Sequence, residues 1–342
     1  MKNVTMRDIG AALGVSTVTI SKALSGKEGV SDAVREKIIE TAKQMGYRYS
    51  APQADDTGRI IGILIADRFF SAPSFYFSLY RELLRELAEA GMLGVLEVVS
   101  DADEAGLVKP VAATIQRASA FVLLGQFSTD YVSSILDTGL PSVLLDFTCD
   151  GPDVDAVVSD GQTGCFMLTR YLLDHGHRDI GFVGRVNRTT SIMDRYSGFL
   201  RAMMLEKLEV NPKWVVPDSS IVGRYIEEID LPDELPTAFV CNNDMVACHL
   251  AEALEARGLR VPEDVSLVGF DDFVYGKHAR PITTYAVDQQ RMAQVTVRRL
   301  RSRVREGMEG PLRTSVGGWF VERDSVMDLN TGERLGKKRA EN

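Results

Sequence analysis

Cysteine is scarce in this sequence. Four occur among 342 residues, Cys149, Cys165, Cys241 and Cys248, with no Cys-x-x-Cys pair and no zinc-finger spacing. That scarcity excludes a disulfide scaffold and predicts buried thiols in a reducing compartment, with no metal bound. Long apolar runs are missing too. No stretch of about 18 apolar residues occurs and the first residues are polar, so neither a membrane span nor a secretory leader is expected. The chain therefore reads as cytoplasmic, with no membrane partner. Three-glycine dinucleotide spacing, a Gly-x-Ser-x-Gly elbow and a phosphate-cradling Gly-Lys-Ser/Thr loop are all lacking. No enzymatic activity and no cofactor are expected, and a ligand-processing enzyme is the remote alternative. His175 and His177 flank Gly176 at a predicted helix end, where imidazolium complements the helix dipole better than it serves as half of a metal pair. His249 and His278 are isolated.

What is present points elsewhere. The length suggests two or three domains, and 45% apolar with 25% charged residues is ordinary globular composition. The net charge of −9 argues against nucleic acid until its distribution is read. Residues 1–50 hold eight Lys/Arg against five Asp/Glu, a net +3, so the remainder carries −12. A basic N-terminal segment on an acidic body suits a DNA reader joined to a separate sensing module.

Residues 5–24 read as two short helices around a glycine turn. Thr5 is placed to cap the first, with Asp8 reaching back, and Ile9 and Leu13 share one face. Gly14 falls where a left-handed backbone ends the helix. Ser16 caps the second helix, in which Ile20 and Leu24 repeat the buried four-residue step. Thr17, Val18, Ser21 and Lys22 are left facing outward, small, neutral or basic. A third helix starts at Val30-Ser31-Asp32, runs through Glu36, Ile39 and Ala42, and stops at Gly46-Tyr47. Together these form a helix-turn-helix unit whose second helix enters a major groove.

Beyond a Pro/Gly/Ser/Asp-rich linker over residues 48–59, apolar runs alternate with amphipathic stretches. Strands are predicted at 60–66, 94–99, 120–125, 141–146, 179–184, 237–241 and 265–270. Helices are predicted at 75–90, 111–118, 129–138, 162–175, 192–208, 244–257 and 289–305. Short apolar runs separated by helices mean parallel sheets covered on both faces, and the length calls for two doubly wound lobes.

The order "VTMRDIGAALGVSTVTISKALSG…VSDAVREKIIETAKQMGY" resembles the headpiece of the lac-repressor (LacI/GalR) family of bacterial transcription regulators. The likeness continues in "LLDHGHRDIGFVG", "RYSGF", "PTAFVCNND", "RGLRVPEDVSLVGFDD", "PITTYAVD" and "VERDSV". It implies an all-α helix-turn-helix headpiece (1–47), a hinge (48–59), and an α/β core of two doubly wound parallel-sheet lobes resembling periplasmic binding proteins. The lobes would be 60–157 plus 287–316 and 158–286 plus 317–328, with a polar tail over 329–342. The chain would cross between lobes near Val157-Val158, Ala286-Val287-Asp288 and Val316-Gly317-Gly318. In that family the hinge folds on DNA and pushes a leucine into the minor groove. Here the segment is about one helical turn shorter, has no leucine, and carries Asp55-Asp56, whose charge opposes phosphates. The wedge is not carried over.

The resemblance implies a homodimeric repressor on a pseudo-palindromic double-stranded operator. Thr17, Val18 and Lys22 face base edges, while Thr5, Ser16, Thr19 and Ser21 are placed for phosphates. In the interlobe cleft, Asp146, Asn243, Asp271, Arg195 and Ser191 match effector-binding positions. Two carboxylates, an amide and a guanidinium suit a polyhydroxylated ligand, a carbohydrate above others. Tyr76 and Phe77 are candidates to lie against a ring, with Phe69 and Phe70 as rivals. The alternative is a core that answers to a nucleoside or a protein partner.

Overall fold

The computed structural model describes residues 6–24, 29–45, 58–70, 74–114, 117–219, 229–273, 280–306 and 310–336, in two compact units divided after Thr57. The first unit contains α1 (Met6–Leu13), α2 (Thr17–Leu24) and α3 (Asp32–Gln44). Its small core is Ile9, Ile20, Ala23, Ile38 and Ala42, with Leu13, Val15, Val30 and Met45 packed around it. Gly14 sits at φ +69°, the left-handed turn expected from its position. Ser16 accepts a hydrogen bond from the amide of Thr19 at 3.1 Å and so caps α2. In α3 Ile38 and Ala42 are buried, at 1% and 4% exposure, while Ile39 is exposed at 40%. Ile38 lies four residues before Ala42 and shares its face, whereas Ile39 is turned out by about 100°. Thr5 and most of the linker, Asp55 and Asp56 included, lie outside the described residues.

The second unit opens with β1 (Ile60–Ala66), α4 (Phe75–Glu89), β2 (Leu93–Val99), α5 (Asp101–Ala105), α6 (Val111–Thr114), β3 (Ala118–Leu124), α7 (Thr129–Leu136), β4 (Ser142–Leu145) and β5 (Asp155–Ser159). It continues with α8 (Gly161–Asp174), β6 (Ile180–Val183), α9 (Thr190–Leu205), β7 (Val215–Val216), β8 (Ala238–Cys241), α10 (Asp244–Ala256) and β9 (Ser266–Val268). It closes with β10 (Thr284–Ala286), α11 (Gln289–Glu306), β11 (Arg313–Val316), β12 (Trp319–Val321), β13 (Met327–Asp328) and β14 (Glu333–Arg334). Two parallel sheets result, as the alternating pattern requires. One has the order β11-β5-β4-β3-β1-β2 and the other β7-β6-β8-β9. Strands β1, β3 and β4 are buried nearly throughout because helices cover both faces. The edge strand β2 instead leaves Leu93, Val95 and Val98 exposed.

All three expected crossings begin in strand, and Ala286 ends β10. Val157 and Val158 lie in β5, and Val316 ends β11 beside it, before β12 pairs with β10. Helices α8 and α9 meet closely at Gly198, where a Cβ would stand 2.2 Å from the Gln162 carbonyl oxygen. Of the helix predicted over 111–118, Val111–Thr114 is helical, Arg117 is not, and Ala118 already pairs in β3 with Ile60.

Part of the segment expected as a polar tail is tied to the core: β14 pairs with β13, and the Leu329 amide donates to the His175 carbonyl at 2.9 Å. One expectation needs correction. His177 is not a helix-end imidazolium. It is 1% exposed and bridges Thr237 Oγ1 (2.9 Å) and the Met327 carbonyl (3.0 Å), and burial lowers its pKa, so it is a neutral tie for this segment. Of the thiols, Cys165, Cys241 and Cys248 are buried as expected, while Cys149 is half-buried.

Candidate functional site

In the first unit, Thr17 opens α2 and is exposed, and Lys22 is exposed in its last turn. Val18 and Ser21 lie between them in the same helix, and their side chains fall outside the described set. Ser16 and Thr19 hydroxyls bond each other at 2.9 Å, so each reaches a phosphate only with its remaining capacity. Arg35 of α3 donates to the Ala23 carbonyl at 3.3 Å, fixing the end of α2.

In the second unit, the carboxyl ends of strands from both sheets converge on one cavity of about 90 Å³. Asp146 follows β4 and Asp271 follows β9. Both hold left-handed backbones, φ +66° and +97°, which aspartate tolerates better than most residues and which costs of order 1–3 kcal/mol. Arg195, on the second turn of α9, stands between them at 4% exposure. Its Nη2 donates to Asp271 Oδ1 at 3.0 Å, its Nη1 to the Asn242 carbonyl at 2.7 Å and Asn242 Oδ1 at 3.3 Å, and its guanidinium lies 4.0 Å over the Phe270 ring. The buried Nε of Arg195 makes no hydrogen bond among the described residues.

Burial pushes the Asp146 carboxyl up to about 6, an effect opposed by Arg195, reinforced by the Asp271 charge, and further opposed by hydrogen bonds from Tyr76 and Ser159. Asp271 is raised for the same reason, burial, with Arg195 pulling it back. Burial alone would lower Arg195, but Asp271 and then Asp146 more than offset this. The trio, with two carboxyls and one guanidinium, holds one negative charge in excess when both are ionised. Its demand is for hydrogen-bond donors on an incoming molecule.

Ser191 lines the same cavity, its hydroxyl 3.0 Å from that of Thr189, which caps α9. Asn243 lines it as well, and its Oδ1 caps α10 through the Val246 amide at 2.9 Å. Tyr76 belongs to the lining, but Phe77 does not: its ring lies 6.4 Å from Phe70 and 6.5 Å from Tyr80. One helical residue step from Tyr76 turns Phe77 away from the cleft, and Phe69 and Phe75 take the aromatic places.

Sequence reasoning missed Arg68, Arg188 and Asn242. Arg68 is held by Asp101 (2.9 Å), Glu104 (2.7 Å) and the Gln126 carbonyl (2.8 Å). Both Arg68 and Arg188 guanidiniums lie over Phe69, at 5.1 and 5.5 Å. Gln126 and Thr148, from the first sheet's loops, meet Thr190 at the start of α9. The Thr190 amide and hydroxyl donate to Gln126 Oε1 at 3.0 and 3.2 Å, and the Thr148 amide donates to the Thr190 hydroxyl at 3.0 Å. Among the described residues no three His, Cys, Asp or Glu side chains converge as metal ligands, and no helix is long and apolar enough to cross a membrane.

Residues 5–50 match the family described as bacterial regulatory proteins, lacI family, and residues 169–326 match the periplasmic binding protein-like domain. The HTH-type transcriptional repressor PurR of Vibrio cholerae serotype O1 (strain M66-2) is 27% identical over 344 residues, covering 95% of this chain and 98% of that protein. Among solved structures, the transcriptional regulator CelR–cellobiose complex has a TM-score of 0.67 at 22% identity, covering 94% of this chain and 100% of that one. The lac repressor dimer bound to operator and the anti-inducer ONPF has a TM-score of 0.62 at 20% identity, covering 95% and 99%.

Proposed function

Since the chain belongs to the LacI/GalR family of bacterial transcription regulators and is a DNA-binding repressor of that family, we propose that it is gated by a small polyhydroxylated molecule, a sugar of monosaccharide size, held at Asp146, Arg195 and Asp271. The observation that carries this is the buried trio. Two carboxyls from opposite sheets line one cavity, Asp271 paired to the Arg195 guanidinium and Asp146 within reach of its charge, and their unmet capacity is for hydroxyl donors. Arg195 Nε supplies the complementary donor for a ring or hydroxyl oxygen. Ser191 and Asn243 complete the polar wall, and Phe69 and Tyr76 offer ring faces.

The second unit's edge strand β2, with Leu93, Val95 and Val98 exposed and Val108 and Val111 nearby in sequence at 50% and 63%, supports dimer formation, because an uncovered apolar edge calls for a partner. Two copies present two α2 helices to a pseudo-palindromic operator, with Thr17, Val18 and Lys22 reading bases. A ligand that favours one lobe arrangement changes operator affinity, and operator changes ligand affinity by the same factor.

The test is a thermal-shift panel of D-ribose, D-glucose, D-galactose, cellobiose and the common nucleosides, run on the protein and on its Arg195→Ala variant. A ligand at about a hundred times its Kd adds roughly 2.7 kcal/mol to stability. A monosaccharide is expected to raise Tm in the first and not in the second. A rise with nucleosides alone reassigns the effector class. No response from any member overturns the small-molecule reading in favour of a protein partner.

A further inference from the structure

Behind the cavity lies a carboxylate that does not line it. Asp218, just past the end of β7, is 1% exposed and held on both of its oxygens. Its Oδ1 accepts from the Arg185 amide at 2.9 Å and from the Ser219 hydroxyl at 3.0 Å. Its Oδ2 accepts from Asn242 Nδ2 at 3.1 Å. Asn242 is itself 2% exposed, and its other amide atom, Oδ1, together with its carbonyl oxygen, accepts from Arg195. A primary amide can present its oxygen and its nitrogen in either of two orientations. Arg195 has only donors, so the flipped amide would set Nδ2 against the guanidinium. A carboxylate has only acceptors, so Asp218 admits just the orientation observed.

We infer that Asp218 is a positioning residue for the effector site: by fixing the Asn242 amide it turns the side-chain oxygen onto Arg195 Nη1, beside the backbone carbonyl of the same residue, and so sets where the remaining guanidinium edge points. The guanidinium is thereby held at three places, by Asn242, by Asp271 and by the Phe270 face. Without the Asp218 anchor the amide loses the partner of its nitrogen, and Arg195 Nη1 keeps the Asn242 backbone carbonyl but not a fixed Oδ1. This rests on the reading of Arg195 as an effector ligand for its functional consequence, but the positioning itself can be measured without any effector.

The pair allows an exchange that keeps the shape. In Asp218→Asn the introduced amide nitrogen faces Asn242 Nδ2, donor against donor. In Asn242→Asp two carboxylates face each other. In the double variant the introduced amide at position 218 still accepts from Arg185 and Ser219 through its oxygen. Its nitrogen donates to the introduced carboxylate at position 242, which still accepts from Arg195. All four proteins are near-isosteric, but Asn242→Asp sets two buried carboxylates together and is expected to be the least stable, so the comparison rests on Asp218→Asn and the double variant. The readout is solvent exchange of the Arg195 Nε–H resonance in full-length ¹⁵N-arginine-labelled protein, assigned by its loss in Arg195→Lys. Asp218→Asn should speed exchange by about tenfold or more, the effect of one lost charge-assisted hydrogen bond, and the double variant, in which a donor again anchors position 242, should return to within about threefold of the starting protein. Unchanged exchange in Asp218→Asn, or a double variant no closer to the starting protein than Asp218→Asn, overturns the assignment. A parallel D-ribose titration should show affinity lost by about tenfold in Asp218→Asn and recovered in the double variant. If the exchange pattern holds and neither D-ribose nor the rest of the panel binds, the positioning stands and the sugar reading falls.

Discussion

Replacing Asp146 by asparagine should make the ligand-free protein more stable at neutral pH. Asp146 is 2% exposed, and its carboxyl is pushed from 3.8 to about 6, chiefly by burial. That value already includes the attraction of Arg195 and the hydrogen bonds from Tyr76 and Ser159, so it is a net penalty on the ionised form. At about 1.4 kcal/mol per decade, ionising Asp146 in the folded chain costs about 3 kcal/mol relative to the unfolded one. As pH falls, the folded state takes up its proton near 6 and the unfolded state only near 3.8. The penalty is therefore complete above about pH 7, shrinks as pH falls through 6, and is gone below 3.8. An uncharged asparagine of the same shape never incurs it.

Calorimetric or fluorescence melting of both proteins from about pH 5 to 7.5 measures the difference. The variant should melt roughly 5–10 °C above the starting protein at pH 7.5, with the gap closing toward pH 5. Taking the difference between the two proteins removes the contributions of Asp244, also raised by burial, and of Asp155, where burial is outweighed by its arginine partners. A gap independent of pH, or a variant less stable at pH 7.5, would refute the claim that Asp146 is held in the cleft at a cost to folding.

Three further changes probe other parts of the chain. Gln126→Ala removes the acceptor of both Thr190 hydrogen bonds and should weaken effector binding by about tenfold by favouring an open cleft, seen as a larger radius of gyration by solution scattering. Gly198→Ala forces a methyl to within 2.2 Å of the Gln162 carbonyl oxygen, so α8 and α9 must separate, lowering stability by about 1–3 kcal/mol in thermal melts. Lys22→Ala should cost about 1–3 kcal/mol on the preferred operator while leaving binding to random duplex nearly unchanged in a salt titration.

Much of this architecture is legible in the chain because burial on both faces writes itself as uninterrupted apolar runs. Ile60–Ala66 is seven such residues and is a strand from end to end. β5, β10 and β11 escape because they are short, with polar residues interspersed, as in Arg313-Thr-Ser-Val of the edge strand β11. Asp146, Arg195 and Asp271 can be proposed from sequence because each stands just past an apolar run or early in a helix, and the fold brings such ends together. Phe77 fails the same reasoning because an aromatic run does not say which of its members faces inward. Asp218 and Asn242 carry no local signal at all. They meet only because β7 and β8 flank β6 in the second sheet, an adjacency that short strands of two and four residues do not announce. Gln126 and Thr190, 64 residues apart, meet for a similar reason, across the two sheets.

The buried trio also makes stability and recognition run in opposite directions with pH, and that opposition separates ligand classes. A polyol meets Asp146 and Asp271 with hydroxyl donors, which favour the ionised carboxyls. Its binding should then tighten as pH rises through about 6, where the folded protein's own stability is falling. A ligand that meets Asp146 with an acceptor instead, such as a nucleobase carbonyl, needs the protonated carboxyl and should bind more weakly over the same rise. Isothermal titration in buffers of differing ionisation enthalpy resolves the two. A polyol bound at Asp146 releases a fraction of a proton near pH 6, and this release should vanish in Asp146→Asn. Proton uptake in place of release would place an acceptor at Asp146, and no proton exchange in the unaltered protein would remove Asp146 from the recognition site altogether.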